Sequence, residues 1–158
     1  MSDKLKLIVG SDSAGFEYKN AILADLRNDP RVESVEDLGV HAEDLAACSY
    51  GEVAIHAAEK IRSGEASRSV LVCGTGIGMA IAANKVEGVR ATVAHDSFSV
   101  ERSVQSNDCQ VLTLGQRVIG LELARRLVSE WLGYIFDPSS PSNEKVAVIT
   151  AYEHRRSG

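Results

Sequence analysis

The run Cys73 to Lys85, C-G-T-G-I-G-M-A-I-A-A-N-K, carries the densest chemistry in the chain. A thiol ends a short apolar stretch, and Gly74, Gly76 and Gly78 follow it at alternate positions. Glycine opens backbone angles closed to other residues and lets a ligand approach the main chain. N–H groups left free at a helix start attract anions. A cysteine thiol titrates near ~8.5, and a helix N-terminus lowers that value toward a thiolate. Such a thiolate serves as a base or a nucleophile. The competing role is a buried, inert cysteine closing a strand, which suits Cys48 and Cys109 better because neither precedes a glycine-rich turn. Two rival fingerprints fail here. G-x-G-x-x-G would need glycine where Met79 stands, and a P-loop would need G-K-[ST] where Gly78 is followed by Met79. Asp96, closing the next strand, keeps a dinucleotide contact as an alternative.

These residues need elements to hold them. Lys6–Gly10, Ser69–Cys73, Arg90–His95 and Gln110–Leu114 are short runs rich in Val, Ile or Leu without strict alternation, as strands buried on both faces read. Ser34–Leu38 is a weaker fifth run. Helical spacing fills the gaps. Ala21, Ile22, Ala24 and Leu26 mark Phe16–Arg27, and Val53, Ala54, Ala57, Ala58 and Ile61 mark Tyr50–Ser63. Ile77–Lys85, Ser97–Ser106 and Ile119–Leu132 follow, and Ser142, as N-cap, opens a last helix to Arg156 after Pro138 and Pro141. Strand and helix alternate from end to end. This predicts one α/β domain over residues 1–158: a three-layer α/β/α, Rossmann-like fold with a five-stranded parallel sheet. The last helix is expected to reach past the sheet and dock on a partner subunit.

In open parallel sheets ligands bind beyond the carboxyl ends of the strands. The residues expected there are Ser11-Asp12-Ser13, Cys73-Gly74-Thr75-Gly76, His95-Asp96 and Gly115-Gln116-Arg117. Any one of these reads as an ordinary polar loop residue; the carboxylate, thiol, hydroxyls, imidazole and guanidinium together read as a site. His41, His56 and His154 fit solvated or hydrogen-bonded surface positions, whereas His95 stands where its strand ends.

Composition narrows the partners. The chain has 158 residues, 17 basic against 22 acidic, for a formal net charge of -5. That excludes a broad positive field for nucleic acid and leaves room for a small anion held by local donors. Apolar residues at 44% and charged residues at 25% are those of a globular domain. No apolar run nears the ~20 residues of a membrane helix, and Leu7–Val9 is too short for a signal peptide. Three cysteines without C-x-x-C spacing argue against a disulfide framework and a structural zinc site. The expectation is a soluble protein of a reducing cytoplasm.

G-S-D-S-A-G-F-E-Y-K (Gly10–Lys19), C-G-T-G-I-G with A-A-N-K, S-N-D (Ser106–Asp108) and L-G-Q-R-V-I-G (Leu114–Gly120) together resemble the type B ribose-5-phosphate isomerases and the related galactose-6-phosphate isomerase subunits. The resemblance runs from about Leu7 to Glu153. It implies interconversion of aldose and ketose phosphates through a cis-enediolate, with no metal or organic cofactor. It implies that Cys73 shuttles the proton between C1 and C2. The N–H groups from Gly74 through Gly76 and Ile77 to Gly78 would hold the enediolate oxygens, in keeping with stabilisation by preorganised amides. Thr75 would assist at the substrate hydroxyls and Asp12 would orient them. Arg117 would bind phosphate, Tyr50 would line the site, and Asn107 would contact the sugar from a partner subunit. A homodimer or a dimer of dimers, with the site at the subunit interface, is implied.

The departures are equally informative. The family's usual D-H-x-G is here Asp12-Ser13-Ala14-Gly15, and its frequent H-N is Ser106-Asn107. In the family the histidine at the second place opens the sugar ring. Two phosphate-binding arginines near the C-terminus fall on Pro141 and Lys145, and lysine keeps the charge without the bidentate fork. Either other groups replace these, with His95, Asp96 and Arg102 as candidates, or the substrate does not need them. Ribose 5-phosphate closes a furanose through its free O4. A tetrose 4-phosphate has O4 esterified, cannot close that ring and presents an open aldehyde. D-ribose 5-phosphate is therefore the substrate the family implies, and D-erythrose 4-phosphate is its rival. A non-catalytic sugar-phosphate binder is the alternative of another class.

Overall fold

In the computed structural model, which describes residues 3–158, five strands form one parallel sheet in the order β2-β1-β3-β5-β4. They are β1 (Leu5–Ser11), β2 (Val32–Gly39), β3 (Arg68–Cys73), β4 (Ala91–Val93) and β5 (Val111–Gly115). The three inner strands are the buried apolar runs. β2 read weakly in the sequence because it is an edge: Glu33, Ser34 and Glu36 face solvent while Leu38 is buried. β4 is the other edge and pairs only over Ala91–Val93 rather than Arg90–His95. Two side chains complete what its backbone does not. Asn84 donates Nδ2–H to Ala91 O and accepts Ala91 N–H on Oδ1, each at 2.8 Å, as a neighbouring strand would. Beyond the strand, His95 Nε2 accepts the Gly115 N–H at 2.9 Å.

Helices α1 (Phe16–Arg27), α4 (Ser97–Gln105) and α5 (Leu121–Leu132) cover one face of the sheet. Ile22, Leu26, Val100, Val104, Leu127 and Trp131 pack there on Val9, Val70, Val72 and Leu112. Helices α2 (Tyr50–Arg62) and α3 (Ile77–Ala83) cover the other, with Val53, Ala54, Ala57, Ala58 and Met79 on Ile8, Leu71 and Cys73. The small alanines let α2 lie close to the sheet. In α1 the buried stripe includes Leu23, while Ala24 turns to solvent. Local caps fix the helix starts. Ser49 and Glu52 form a reciprocal capping box on α2, and Asp96 accepts Ser99 N–H at the start of α4.

Lys19 is fully buried on α1, an uncommon place for an ammonium. Its Nζ donates to Val40 O at 2.7 Å and lies 2.8 Å from Asp37 Oδ1, so the charge is paired and clamps α1 to the end of β2. The last helix, α6 (Ser142–Ser157), starts without a side-chain cap: Pro141 is its N-cap and Ser142 its first helical residue. It buries only Val146 and leaves Val148, Ile149 and Tyr152 exposed. Glu153 accepts the Gly88 N–H and His154 lies 3.9 Å from Glu87, which pins α6 beside the approach to β4. Among the described residues no helix is long and apolar enough to cross a membrane.

Two outcomes follow from this packing. A Cβ on Gly15 would stand 2.2 Å from Val72 O, a backbone atom that cannot step aside. Gly15→Ala should cost about 1–3 kcal/mol, read from the urea midpoint at constant m. The second concerns His95, whose burial pushes its pKa below the usual value while Asp96 pulls it weakly upward. The unfolded chain therefore binds the proton more readily. The contribution is complete above the unfolded value of about 6.5 and drains away as pH falls below it. In a series of urea melts, His95→Gln should show a shallower loss of stability than the parent below about pH 6.5; parallel curves would exclude a linked proton at this residue.

Candidate active site

The chain passes from β1 outward to β2 and then returns across β1 to β3, so the order reverses between β1 and β3. Their carboxyl ends splay apart at that point and leave a crevice. Asp12 and Ser13 follow β1, and Cys73 closes β3. A single 3-10 turn over Ser13–Gly15 carries the first pair, with Asp12 Oδ1 accepting the Ala14 and Gly15 N–H groups. One carboxylate oxygen is thereby committed to the turn. Because Gly15 has no side chain, this turn rests directly on Val72 and Cys73.

The glycine-rich turn is shaped from below. Gly76 adopts φ 79° and is the left-handed N-cap of α3. Buried Thr113 on β5 donates its hydroxyl to Gly76 O at 2.7 Å and holds that conformation. The Gly76 N–H donates to Cys73 Sγ at 3.1 Å, and the Ile77 N–H donates to Thr75 Oγ1 at 3.3 Å. Gly78 N–H lies in the first turn of α3, where helical N–H groups have no partner of their own. Tyr50, the first residue of α2, lies over this turn: a Cβ on Gly78 would meet its ring at 2.4 Å. Half exposed, it is no core aromatic.

The loop after β5 closes the other side. Gln116 N–H donates to Cys73 O at 2.9 Å and Arg117 N–H to Gly74 O at 3.0 Å. The Arg117 guanidinium lies across Gly74, with Nη1 at 3.4 Å from where a Cβ would stand. Gln116 is held in turn by Tyr18, whose N–H donates to Gln116 Oε1 at 3.1 Å. The fold thus brings together Asp12, Ser13, Tyr50, Cys73, Gly74, Thr75, Gly76, Ile77, Gly78 and Arg117. A thiol, a hydroxyl and a carboxylate stand beside peptide N–H groups and one cation, which suits proton transfer next to a developing oxyanion.

Three other candidates stand elsewhere. Ser106 and Asn107 lie between α4 and the start of β5, at the amino edge of the sheet. Cys73 pairs with Gly115 at the far end of β5, about 13 Å of strand away. Lys145 is exposed in the first turn of α6. One chain therefore does not unite them with Cys73. His95 is at the carboxyl end, but its Nε2 is occupied by Gly115 N–H and its imidazole is biased to the neutral form by burial. Through Nε2 it props the end of β5. Burial pushes the Cys109 thiol up to about 11, in line with an inert cysteine.

Sequence reasoning missed Thr113 and Arg90. Arg90 donates Nε–H to Asn107 O and Asp108 O, each at 3.0 Å, and pairs with Asp108 at 2.8 Å, fixing the loop where Asp108 has φ 49°. Neither residue carries a local signal: a threonine inside a β-run and an arginine before one are ordinary, and their partners are distant in sequence.

Comparison with known proteins shows the family and the fold. A family model described as Ribose/Galactose Isomerase matches residues 7–149. The chain is 60% identical over 149 residues to a D-erythrulose-4-phosphate isomerase 2 of Mycolicibacterium smegmatis, covering 94% of this chain and 97% of that protein. It is 39% identical over 151 residues to ribose-5-phosphate isomerase B of Escherichia coli, covering 96% and 98%. Among solved structures, Clostridium thermocellum ribose-5-phosphate isomerase B superposes with a TM-score of 0.87 at 36% identity, over 96% of this chain and 99% of that one. The chain belongs to the ribose/galactose isomerase family and is a sugar-phosphate aldose–ketose isomerase.

Proposed function

We propose that this chain interconverts D-erythrulose 4-phosphate and D-erythrose 4-phosphate. The observation that carries the reading is a pair of serines where the family's pattern has an imidazole that could serve a ring oxygen. Ser13 and Ser106 stand where the family's pattern has histidine, and His95 is tied to Gly115. A furanose needs an acid at its ring oxygen, and a 4-phosphate tetrose has no such ring. The name of the 60% identical relative supports the same substrate. D-ribose 5-phosphate, which the family resemblance put first, remains the second reading on the strength of the Escherichia coli relative.

In the ketose-to-aldose direction Cys73, as thiolate, takes a proton from C1. The electron pair moves into a C1–C2 double bond, and negative charge gathers on O2. The Gly74, Thr75 and Gly78 N–H groups of the turn face that charge, while those of Gly76 and Ile77 are given to Cys73 Sγ and Thr75 Oγ1. Preorganised donors of this kind are worth more in the transition state than in the ground state. Thr75 relays the hydroxyl proton from O1 to O2, and Asp12 orients the hydroxyls. Return of the sulfur-bound proton to C2 leaves the aldehyde at C1. Arg117 holds the phosphate. Asn107 reaches the sugar from a second copy of the chain, whose docking would also cover the apolar side chains α6 exposes.

Three measurements test this. Side by side, kcat/KM for D-erythrose 4-phosphate should exceed that for D-ribose 5-phosphate by at least about tenfold; the reverse order would overturn the tetrose reading. Cys73→Ala should lower kcat by a factor of roughly 10³ or more and abolish solvent-proton exchange at C1 and C2, whereas unchanged exchange would remove Cys73 as the base. Finally, Cys73→Ala and Asn107→Ala chains, each inactive alone, should regain roughly a quarter of parental activity when unfolded and refolded as an equal mixture. Half the dimers are then mixed, and each has one intact site. A mixture as inactive as its components would place Asn107 outside any shared site.

A further inference from the structure

A hollow of about 450 Å³ lies along the open edge of β4, between α4 and α6. It is lined by Asn84, Arg90, Thr92, Arg102, Ser103 and Asn107 among others. Two guanidinium groups and no carboxylate line it among the described residues, in a chain whose net charge is -5. The two arginines are in different states. Arg90 spends its donors on Asp108 and on the carbonyls of Asn107 and Asp108. Among the described residues Arg102 is held only by neighbours within four positions of it: Glu101 at 2.6 Å, Gln105, and Ser106 Oγ through Nη1 at 3.4 Å, with Nε unpartnered. Asn107 gives its backbone carbonyl to Arg90 and lines the hollow.

We infer that Arg102 is a phosphate-binding residue, which grips the substrate's phosphate ester from the hollow of one subunit while Cys73 of the other subunit works at C1 and C2. The inference rests on the shared site proposed above. The volume suits a small ligand, and a guanidinium fork matches phosphate geometry. Lys145 and Pro141, where the family's pattern places two arginines, supply no fork, and Arg102 does. The Glu101 carboxylate occupies the guanidinium in the free protein and yields it to a dianion. Arg90 acts through Asn107 and Asp108 and is a positioning residue.

The test uses the full-length enzyme, with inorganic phosphate as competing probe. Arg102→Ala should raise both KM for D-erythrose 4-phosphate and Ki for inorganic phosphate by about tenfold to a hundredfold, with kcat within roughly threefold. Arg102→Lys should fall between, since it keeps a charge without the fork. Glu101→Gln should lower Ki severalfold, an effect no merely structural role produces. An unchanged Ki in Arg102→Ala overturns the inference. So does a shift in Ki without a shift in KM, which would mean a separate site for free anions. Substrate preference of the parent is measured in the same series: if ribose 5-phosphate wins while Arg102→Ala still moves its KM and Ki, the tetrose reading fails and the role of Arg102 stands.

Discussion

The site hangs on the hydrogen bonds that cross from the end of β5 to the end of β3. Gln116 and Arg117 N–H groups take the carbonyls of Cys73 and Gly74, and Thr113 takes that of Gly76. Three carbonyl anchors, at positions 73, 74 and 76, draw the glycine-rich turn down onto β5, and a Cβ at Gly115 would collide with the Thr75 backbone. The Gly76 and Ile77 N–H groups turn to Cys73 Sγ and Thr75 Oγ1, which leaves those of Gly74, Thr75 and Gly78 for an anion. His95 extends the clamp from outside by holding the Gly115 N–H. A short edge strand thus reaches the catalytic end of the sheet through an imidazole rather than through its backbone.

Parallel strands give the sheet a polarity, and the polarity separates the functions. Every chemistry-bearing loop after a strand falls at one end, while the turns that enter strands fall at the other. Asn107, Arg90 and Arg102 belong to the entering side, beside β4. No loop movement within one chain carries them past the length of β5 to Cys73. On the proposed reading a second copy supplies them, and the exposed Val148, Ile149 and Tyr152 of α6 give that copy an apolar surface to cover. Assembly and catalysis would then depend on the same contacts.

The inner strands and the glycine-rich turn were legible in the sequence because burial on both faces leaves an unbroken apolar run, and three alternating glycines have few other uses. The two edge strands were less so. β2 looks polar because half of it faces water, and β4 is short because Asn84 and His95 do the work of further pairing. Nothing local distinguishes those side chains from surface ones. The same holds for Lys19: a helix pattern marks its position as inward, but only the fold supplies Asp37 and Val40 O to neutralise the buried ammonium. Strand order, and hence which loops meet, is likewise a tertiary fact. The sequence places His95 at the carboxyl end of its strand, but its Nε2 partner is invisible there because it lies twenty residues away on β5.

The substitutions at Ser13 and Ser106 make chemical sense only together with the fate of His95. An isomerase acting on a furanose must first protonate the ring oxygen, so it needs a donor that titrates near neutrality. Serine does not titrate there, and an imidazole whose Nε2 accepts a backbone N–H cannot also donate from that atom. Protonating it would cost the Gly115 bond and disturb the clamp on Cys73. The fold has therefore spent the imidazole that follows β4 on rigidity. That choice is harmless for a substrate that arrives with its aldehyde open, and costly for one that arrives closed. In the tetrose, moreover, the oxygen that would have closed the ring is the one that carries the phosphate. A serine beside an arginine, as Ser106 stands beside Arg102, suits that ester better than a histidine poised to deliver a proton.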